Sequence, residues 1–250
     1  MLWLDRLNPG TEFRKYFEVV VADSEALRNE VYRIRHKVYC EELGFEARRG
    51  DELERDDYDE HSRHLLLRSV KSGVWVGCIR LVLCRHDRPT HPFPLERTCA
   101  STIDRRLYDP ETVRRHRVAE VSRLAVIRAY RRRKGEESSK DATAQIDFGT
   151  EERPRFPHIQ LGLYLGAIAL AHQIGMETLI LLTEPRLAGH FKKLGFPVRQ
   201  MGGPIDHRGT RVPSMANVTE TVTGLRFFLR PLYRVVAGQV RSGLEVEAEP

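Results

Sequence analysis

Gly175-Met176-Glu177-Thr178-Leu179-Ile180-Leu181-Leu182, followed shortly by Phe191-Lys192-Lys193-Leu194-Gly195-Phe196-Pro197, is the stretch on which the fold reading turns. Residues 178–182 are a short apolar run and read as a buried strand. Gly175, just before them, suits the left-handed C′ position that closes a helix, here the long apolar segment 159–174. Residues 185–194 read as a second helix, closed by Gly195. Helix, buried strand and helix in immediate succession require a sheet covered by helices.

Working outward, 17–22 (Phe-Glu-Val-Val-Val-Ala) reads as a first strand, and Asp23 or Ser24 is a suitable N-cap for a helix over about 24–42. On that helix Leu27, Val31, Ile34 and Val38 share one face at amphipathic spacing. An acidic loop covers about 46–60, and segments 64–70 and 75–84, separated by Lys71-Ser72-Gly73, read as a hairpin. The stretch 86–117 reads as loop with a short helix near 101–107, and 118–127 as a strand. Residues 131–157 look like an exposed insertion, and 218–240 like a strand and a helix. The order is that of a mixed sheet flanked by helices, a three-layer α/β/α sandwich. The expected organisation is one domain over 1–240, with its core at about 17–217 and a flexible tail at 241–250.

The 250 residues, 41% of them hydrophobic, suit one globular domain. No uninterrupted apolar run reaches about 18 residues, so no membrane insertion is expected. Met1-Leu2-Trp3-Leu4 lacks a basic flank and does not read as a signal peptide. Cys40, Cys78, Cys84 and Cys99 form no Cys-x-x-Cys pair, which implies reduced thiols in a cytoplasmic protein. The ten histidines show no metal-ligand spacing, and no metal is expected.

The net charge of +6 is unevenly spread: from Glu41 to Glu60 ten acidic residues meet three basic ones, and from Arg105 to Lys134 eleven basic residues meet three acidic ones. A basic face suits nucleic acid, an anionic lipid surface or a small acidic protein, or is simply solvated. No helix-turn-helix, zinc spacing or interleaved stacking aromatics supports nucleic acid.

Within this frame a set of polar residues recurs in order. Arg35 and Tyr39 stand one helical turn apart; Phe45 follows Gly44; Asp56 and Asp59 lie in the acidic loop. Arg80 is on a central strand, and Glu120-Val-Ser-Arg123 on the next. Arg35, Arg80 and Arg123 with Asp56, Asp59 and Glu120 make a charge-balanced lattice. Such a lattice can grip a zwitterionic amino acid, arginine taking the carboxylate and a carboxylate taking the ammonium. A carboxylate so placed can also take a proton from the amine as it becomes a nucleophile. The alternative is that these ion pairs only pin helix to sheet.

Seven of these positions in order (Arg35, Tyr39, Asp56, Asp59, Arg80, Glu120 and Arg123) resemble the signature of the acyl-homoserine lactone synthases, a branch of the GCN5-related N-acetyltransferase superfamily. Phe45 stands where that family usually has Trp, and Phe93 stands for a further aromatic. The block from Gly175 to Phe196 resembles the superfamily's last characteristic segment. The chain as a whole is similar to N-acyl amino acid synthases and to acyltransferases associated with exosortase and PEP-CTERM protein sorting.

The resemblance implies splayed central strands, an oxyanion-binding backbone N–H near Leu124–Val126, and an acyl chain lying against helix 159–174. It implies Glu120, Arg123 and Asp59 as catalytic residues, and Arg35, Tyr39, Phe45, Asp56, Arg80, Leu124 and Val126 as substrate-binding ones. Two departures point away from ordinary coenzyme A acetylation. Arg131-Arg132-Arg133-Lys134-Gly135-Glu136 lacks the second small residue of a pyrophosphate-cradling loop, and Phe191 holds the place of the usual thiolate-protonating tyrosine. The expected donor is therefore an acyl-phosphopantetheine thioester on acyl-carrier protein, ahead of acyl-coenzyme A, with no permanently bound cofactor. Arg128, Arg131, Arg132, Arg133 and Lys134, with Lys192 and Lys193, would dock the acidic carrier. The leading expectation is transfer of a fatty acyl group to the amine of an amino acid or similar small acceptor. The alternatives are acyl-homoserine lactone (autoinducer) synthesis from S-adenosylmethionine and a non-catalytic acyl or carrier-protein binder.

Overall fold

The computed structural model describes residues 8–131 and 158–248, so the insertion expected over 131–157 lies outside the described residues except for Arg131, which is helical. Four strands run antiparallel in chain order: β1 (Phe17–Val21), β2 (Ser62–Ser69), β3 (Trp75–Leu83) and β4 (Val118–Val126). Gly73, at φ 70°, supplies the left-handed residue of the turn between β2 and β3. Next to β4 lies β5 (Thr178–Thr183), the sheet's parallel neighbour. Beyond it come β8 (Thr210–Asn217) and two short strands on β8, β6 (Arg199–Gln200) and β7 (Ile205–Asp206).

The β4–β5 ladder ends at Val121 against Leu181, whereas β4 stays on β3 as far as Val126. The two central strands therefore part at their C-terminal ends, and that parting creates the site.

Helices cover both faces. On one side α2 (Glu25–Arg35) starts where Ser24 Oγ accepts the Leu27 N–H at 3.2 Å. It continues as a π-helical segment, His36–Glu42, and buries Val31, Ile34 and Val38 against Leu66, Cys78 and Ala125. The same face carries the 86–117 segment, whose short helix α3 falls at Pro94–Thr98, earlier than the expected 101–107. Pro94 at the helix start and the Glu96 carboxylate on the Phe93 N–H explain that placement. After β4 comes α4 (Arg128–Arg131).

The other face holds α1 (Pro9–Tyr16), α5 (His158–Gln173), α6 (Pro185–Leu194), α7 (Val218–Gly224) and α8 (Arg230–Ala248). Helix α1 was not expected; Asn8 caps it and Pro9 sits in its first turn. Residues 241–248, expected as tail, continue α8, and Gly243 there packs so closely that an added Cβ would meet Val21 at 2.8 Å. Helix α5 is apolar on all sides because it lies between sheet and outer helices. Gly162 lets the Phe13 ring approach to where an added Cβ would be 2.5 Å away. None of the described helices is long and apolar enough to cross a membrane.

Candidate active site

The site begins with a bulge in β4. Arg80 of β3 pairs with Ser122 and Cys78 with Ala125, so Arg123 and Leu124 together oppose Ile79. Arg123 takes φ 50°, a left-handed conformation that a non-glycine residue adopts only when its surroundings impose it. Here the Tyr39 hydroxyl donates to the Leu124 carbonyl at 2.7 Å, and the Arg123 guanidinium lies 5.8 Å from the Tyr39 ring centre. The π-helical segment, wider than an α-turn, carries Tyr39 to this position. Gly44, at φ 64°, then turns the chain so that the Phe45 N–H donates to the Tyr39 carbonyl at 2.7 Å.

The acidic loop packs against this bulge through three arginines. Arg35 is completely buried; it donates to Asp59 at 2.6 Å and also pairs with Glu54. Arg80, 1% exposed, donates to Asp56 at 2.6 Å, Asp59 at 2.8 Å and the Ser122 hydroxyl at 3.1 Å. Arg123 donates to Asp56 at 3.1 Å and lies 3.3 Å from Glu54 and 3.6 Å from Glu46. The loop is itself closed by a capping box: Asp59 accepts the Asp56 N–H at 2.8 Å, and Asp56 accepts that of Tyr58 at 3.0 Å. Burial alone would raise the carboxyl pKa of Asp59, yet Arg35 and Arg80 hold it well below the usual range. Asp56 is lowered too, burial being outweighed by Arg80. His64, beneath this lattice, is pushed by burial down to about 3 and stays neutral.

Across from the lattice stands Glu120. Its carboxylate is 4% exposed and accepts one hydrogen bond, from the Leu95 N–H of α3 at 2.7 Å. Burial pushes its carboxyl up to about 8, against the partial relief of that N–H and of Arg80. The two walls enclose an open cleft of about 650 Å3, lined by Tyr39, Phe45, Asp56, Arg80, Glu120, Arg123 and Leu124 among others. Behind Val121, Tyr164 and Leu181, which line both spaces, a small apolar pocket continues under α5 and α6 to Phe196 and Thr221.

The structure thus brings together most of the residues singled out in the sequence and separates others. Arg35 and Asp59 lie behind the cleft wall, and Val126 pairs with Gly77 away from the lining. Arg128, through its N–H at 3.0 Å, and Arg131, through its guanidinium, are tied to Glu42. Lys192 and Lys193 stand in the last turn of α6, beside Gly195, which packs on Gly224. Arg132, Arg133 and Lys134 lie outside the described residues. Phe191 is buried between Tyr164 and Phe196, at ring distances of 4.9 and 5.4 Å.

Several site residues carried no sequence signal. Glu54, one of ten acids in its segment, is singled out only by its buried contacts with Arg35 and Arg123. Arg208 reaches back from the β7–β8 turn to Glu46 at 2.7 Å, to the Phe45 carbonyl at 3.0 Å, and lies 4.9 Å from the Phe45 ring centre. Arg97 and Tyr164 lie in segments legible only as loop and core helix.

Residues 34–139 match the acetyltransferase (GNAT) domain family. The acyl-homoserine-lactone synthase of Aeromonas hydrophila is 25% identical over 222 residues, covering 89% of this chain and 90% of that protein. Among solved structures, the coenzyme A-dependent acyl-homoserine lactone synthase MesI superposes with a TM-score of 0.56 at 19% identity, over 86% of this chain and 94% of that one. FeeM, an N-acyl amino acid synthase from uncultured soil microbes, gives 0.56 at 14% identity, over 86% of this chain and 97% of that one. The structural matches carry the fold, including the open mixed sheet.

Proposed function

We propose that the chain is an acyltransferase of the GNAT-fold branch that includes acyl-homoserine-lactone synthases and N-acyl amino acid synthases, and that it moves a fatty acyl group from a thioester to the amine of an amino acid. The observation that carries this reading is Glu120. A buried carboxyl with its pKa near 8, facing an open cleft at the point where β4 leaves β5, is suited to accept a proton from an amine near neutral pH.

In this mechanism the acceptor enters as an ammonium ion and loses one proton to solvent. Its nitrogen lone pair attacks the thioester carbonyl carbon directly, forming the C–N bond. Glu120 takes the second proton from that nitrogen. Backbone N–H groups of β4 in the stretch Leu124–Val126, where the strand has left β5, stabilise the oxyanion. Collapse of the tetrahedral intermediate breaks the C–S bond, and the proton held by Glu120 matches the one the thiolate requires. The acyl chain lies in the apolar pocket behind Val121 and Leu181. Arg123 and Asp56 shape the acceptor end; Arg35 and Asp59 hold them in place from behind.

We assign acyl-carrier protein as donor ahead of acyl-coenzyme A, and the cytoplasm as its place of action. In support, Glu42 already takes the Arg128 N–H and the Arg131 guanidinium after β4, leaving fewer donors there for a pyrophosphate. The second reading is lactone synthesis from S-adenosylmethionine, favoured by the Aeromonas relative. Mass spectrometry of lipid extracts from cells overproducing the protein, beside a Glu120→Gln control, tests the proposal. An N-acyl amino acid absent from the control supports it, an acyl-homoserine lactone favours the second reading, and identical extracts count against both.

A further inference from the structure

Five guanidiniums line the cleft, and four of them already have a carboxylate: Arg80 on Asp56, Arg123 on Asp56, Arg208 on Glu46, and Arg211 on Glu184 at 2.6 Å. The fifth, Arg97, has no ion pair among the described residues; its guanidinium donates at 3.4 Å to the Tyr58 hydroxyl. The carboxylates divide in the same way. Glu46, Asp56 and Glu184 are ion-paired, while Glu120 has only the Leu95 N–H. Among the described residues the cleft therefore holds one cation without an ion pair, Arg97, which Asp57 reaches only through its field, and one carboxyl without one, Glu120; α3 connects them, because Leu95 binds Glu120 and Arg97 follows two residues later.

The support of α3 is rigid. Glu96, 6% exposed, accepts from the Phe93 N–H at 2.8 Å, from the Tyr108 hydroxyl at 2.7 Å and from both terminal nitrogens of Arg115 at 2.8 and 2.9 Å. A guanidinium on a pinned element, left without a carboxylate inside a cleft otherwise neutralised pair by pair, is arranged for a carboxylate that arrives with the substrate.

We infer that Arg97 clamps the carboxylate of the acceptor, whose amine is held at Glu120, so that the acceptor class is amino acids with a free carboxylate. This rests on the acyl-transfer reading above. It also explains why Arg80, expected to grip the substrate, need not do so: its donors are spent on Asp56, Asp59 and Ser122.

The test uses the full-length enzyme with an acyl thioester and matched acceptors: the amino acids, their amides and their decarboxylated amines. The wild-type protein should acylate the acid in preference to its amide and amine. Arg97→Ala should raise the acceptor KM on the order of tenfold, leave the donor KM unchanged and level the preference for acid over amide. Arg97→Lys should keep part of that preference, and Arg97→Glu should invert it in favour of the amine. Arg97 is exposed, so the variants should melt with the wild type. Active Arg97→Ala enzyme with an unchanged acid-to-amide ratio overturns the clamp alone. A wild-type protein that acylates no amine overturns the acyl-transfer reading and the clamp with it.

Discussion

The two walls of the cleft are built on opposite principles. On the acidic-loop side every buried charge has a partner of the other sign, and Arg35, Arg80, Asp56 and Asp59 lock α2, the loop and two strands into one body. On the α3 side Glu120 is buried with only a backbone N–H for company. Buried charges are costly, and a fully paired set recovers much of that cost, whereas a lone carboxyl stays protonated to a higher pH. In the proposed reaction the contrast separates shape from chemistry: the paired wall would fix geometry, and the lone carboxyl would exchange a proton.

Glu120→Gln should lower kcat by about 10²–10⁴-fold in a folded protein, as expected for loss of a proton acceptor. A comparable rate in the variant would move the chemistry elsewhere. Arg35→Met should cost about 3–5 kcal/mol of stability, because Glu54 and Asp59 lose their buried partner. Chemical denaturation reads that loss directly, and a variant as stable as the wild type would show the lattice to be slack.

The pH dependence should have opposite signs at the two walls. Asp59 is held below its ordinary 3.8, so its contribution to stability is present above that value and is lost as the pH falls further. Glu120 is raised from 4.5 to about 8, so stability from its protonated form is complete below 4.5 and is lost as the pH rises to about 8. Melting temperatures from pH 4 to 9 should therefore fall with rising pH in the wild type and flatten in Glu120→Gln. Parallel curves would contradict the assignment. The smallest expected effect is at the basic segment after β4: Arg132→Glu with Arg133→Glu should raise the carrier-protein KM, and more so at low salt than at high salt. An unchanged KM at low salt removes that segment from docking.

What the sequence made legible of the fold followed from local signals. The glycines at 175 and 195 do close α5 and α6, at φ 78° and 92°, and the apolar run between them is β5. The lattice was legible through the family resemblance that picked out Arg35, Asp56, Asp59, Arg80, Glu120 and Arg123; no local pattern sets Asp56 and Asp59 apart from the other acids of 41–60. Three features were not. Asn8-Pro9-Gly10 has the composition of a turn, yet Asn8 caps α1 through the Gly10 and Thr11 N–H groups, Pro9 sits in its first turn, and Gly10 fits closely against Pro231. Strand β8 contains Arg211 and Pro213, residues that strand propensity disfavours, and is held by its pairing with β5. The role of α3 depends on Glu96 meeting Arg115 nineteen residues later, a long-range contact with no local trace.

In the proposed reaction Glu120 takes the proton as an amine attacks a thioester in this cleft. The most direct measurement is the pH profile of acyl transfer by the purified protein, with an acyl-carrier thioester and a pool of amino acids, the products identified by mass spectrometry. The wild type should form N-acyl amino acids with a rate that climbs toward pH 8 as Glu120 ionises, and Glu120→Gln should form almost none. N-acyl products appearing at equal rates in both proteins, with the same pH profile, would contradict it.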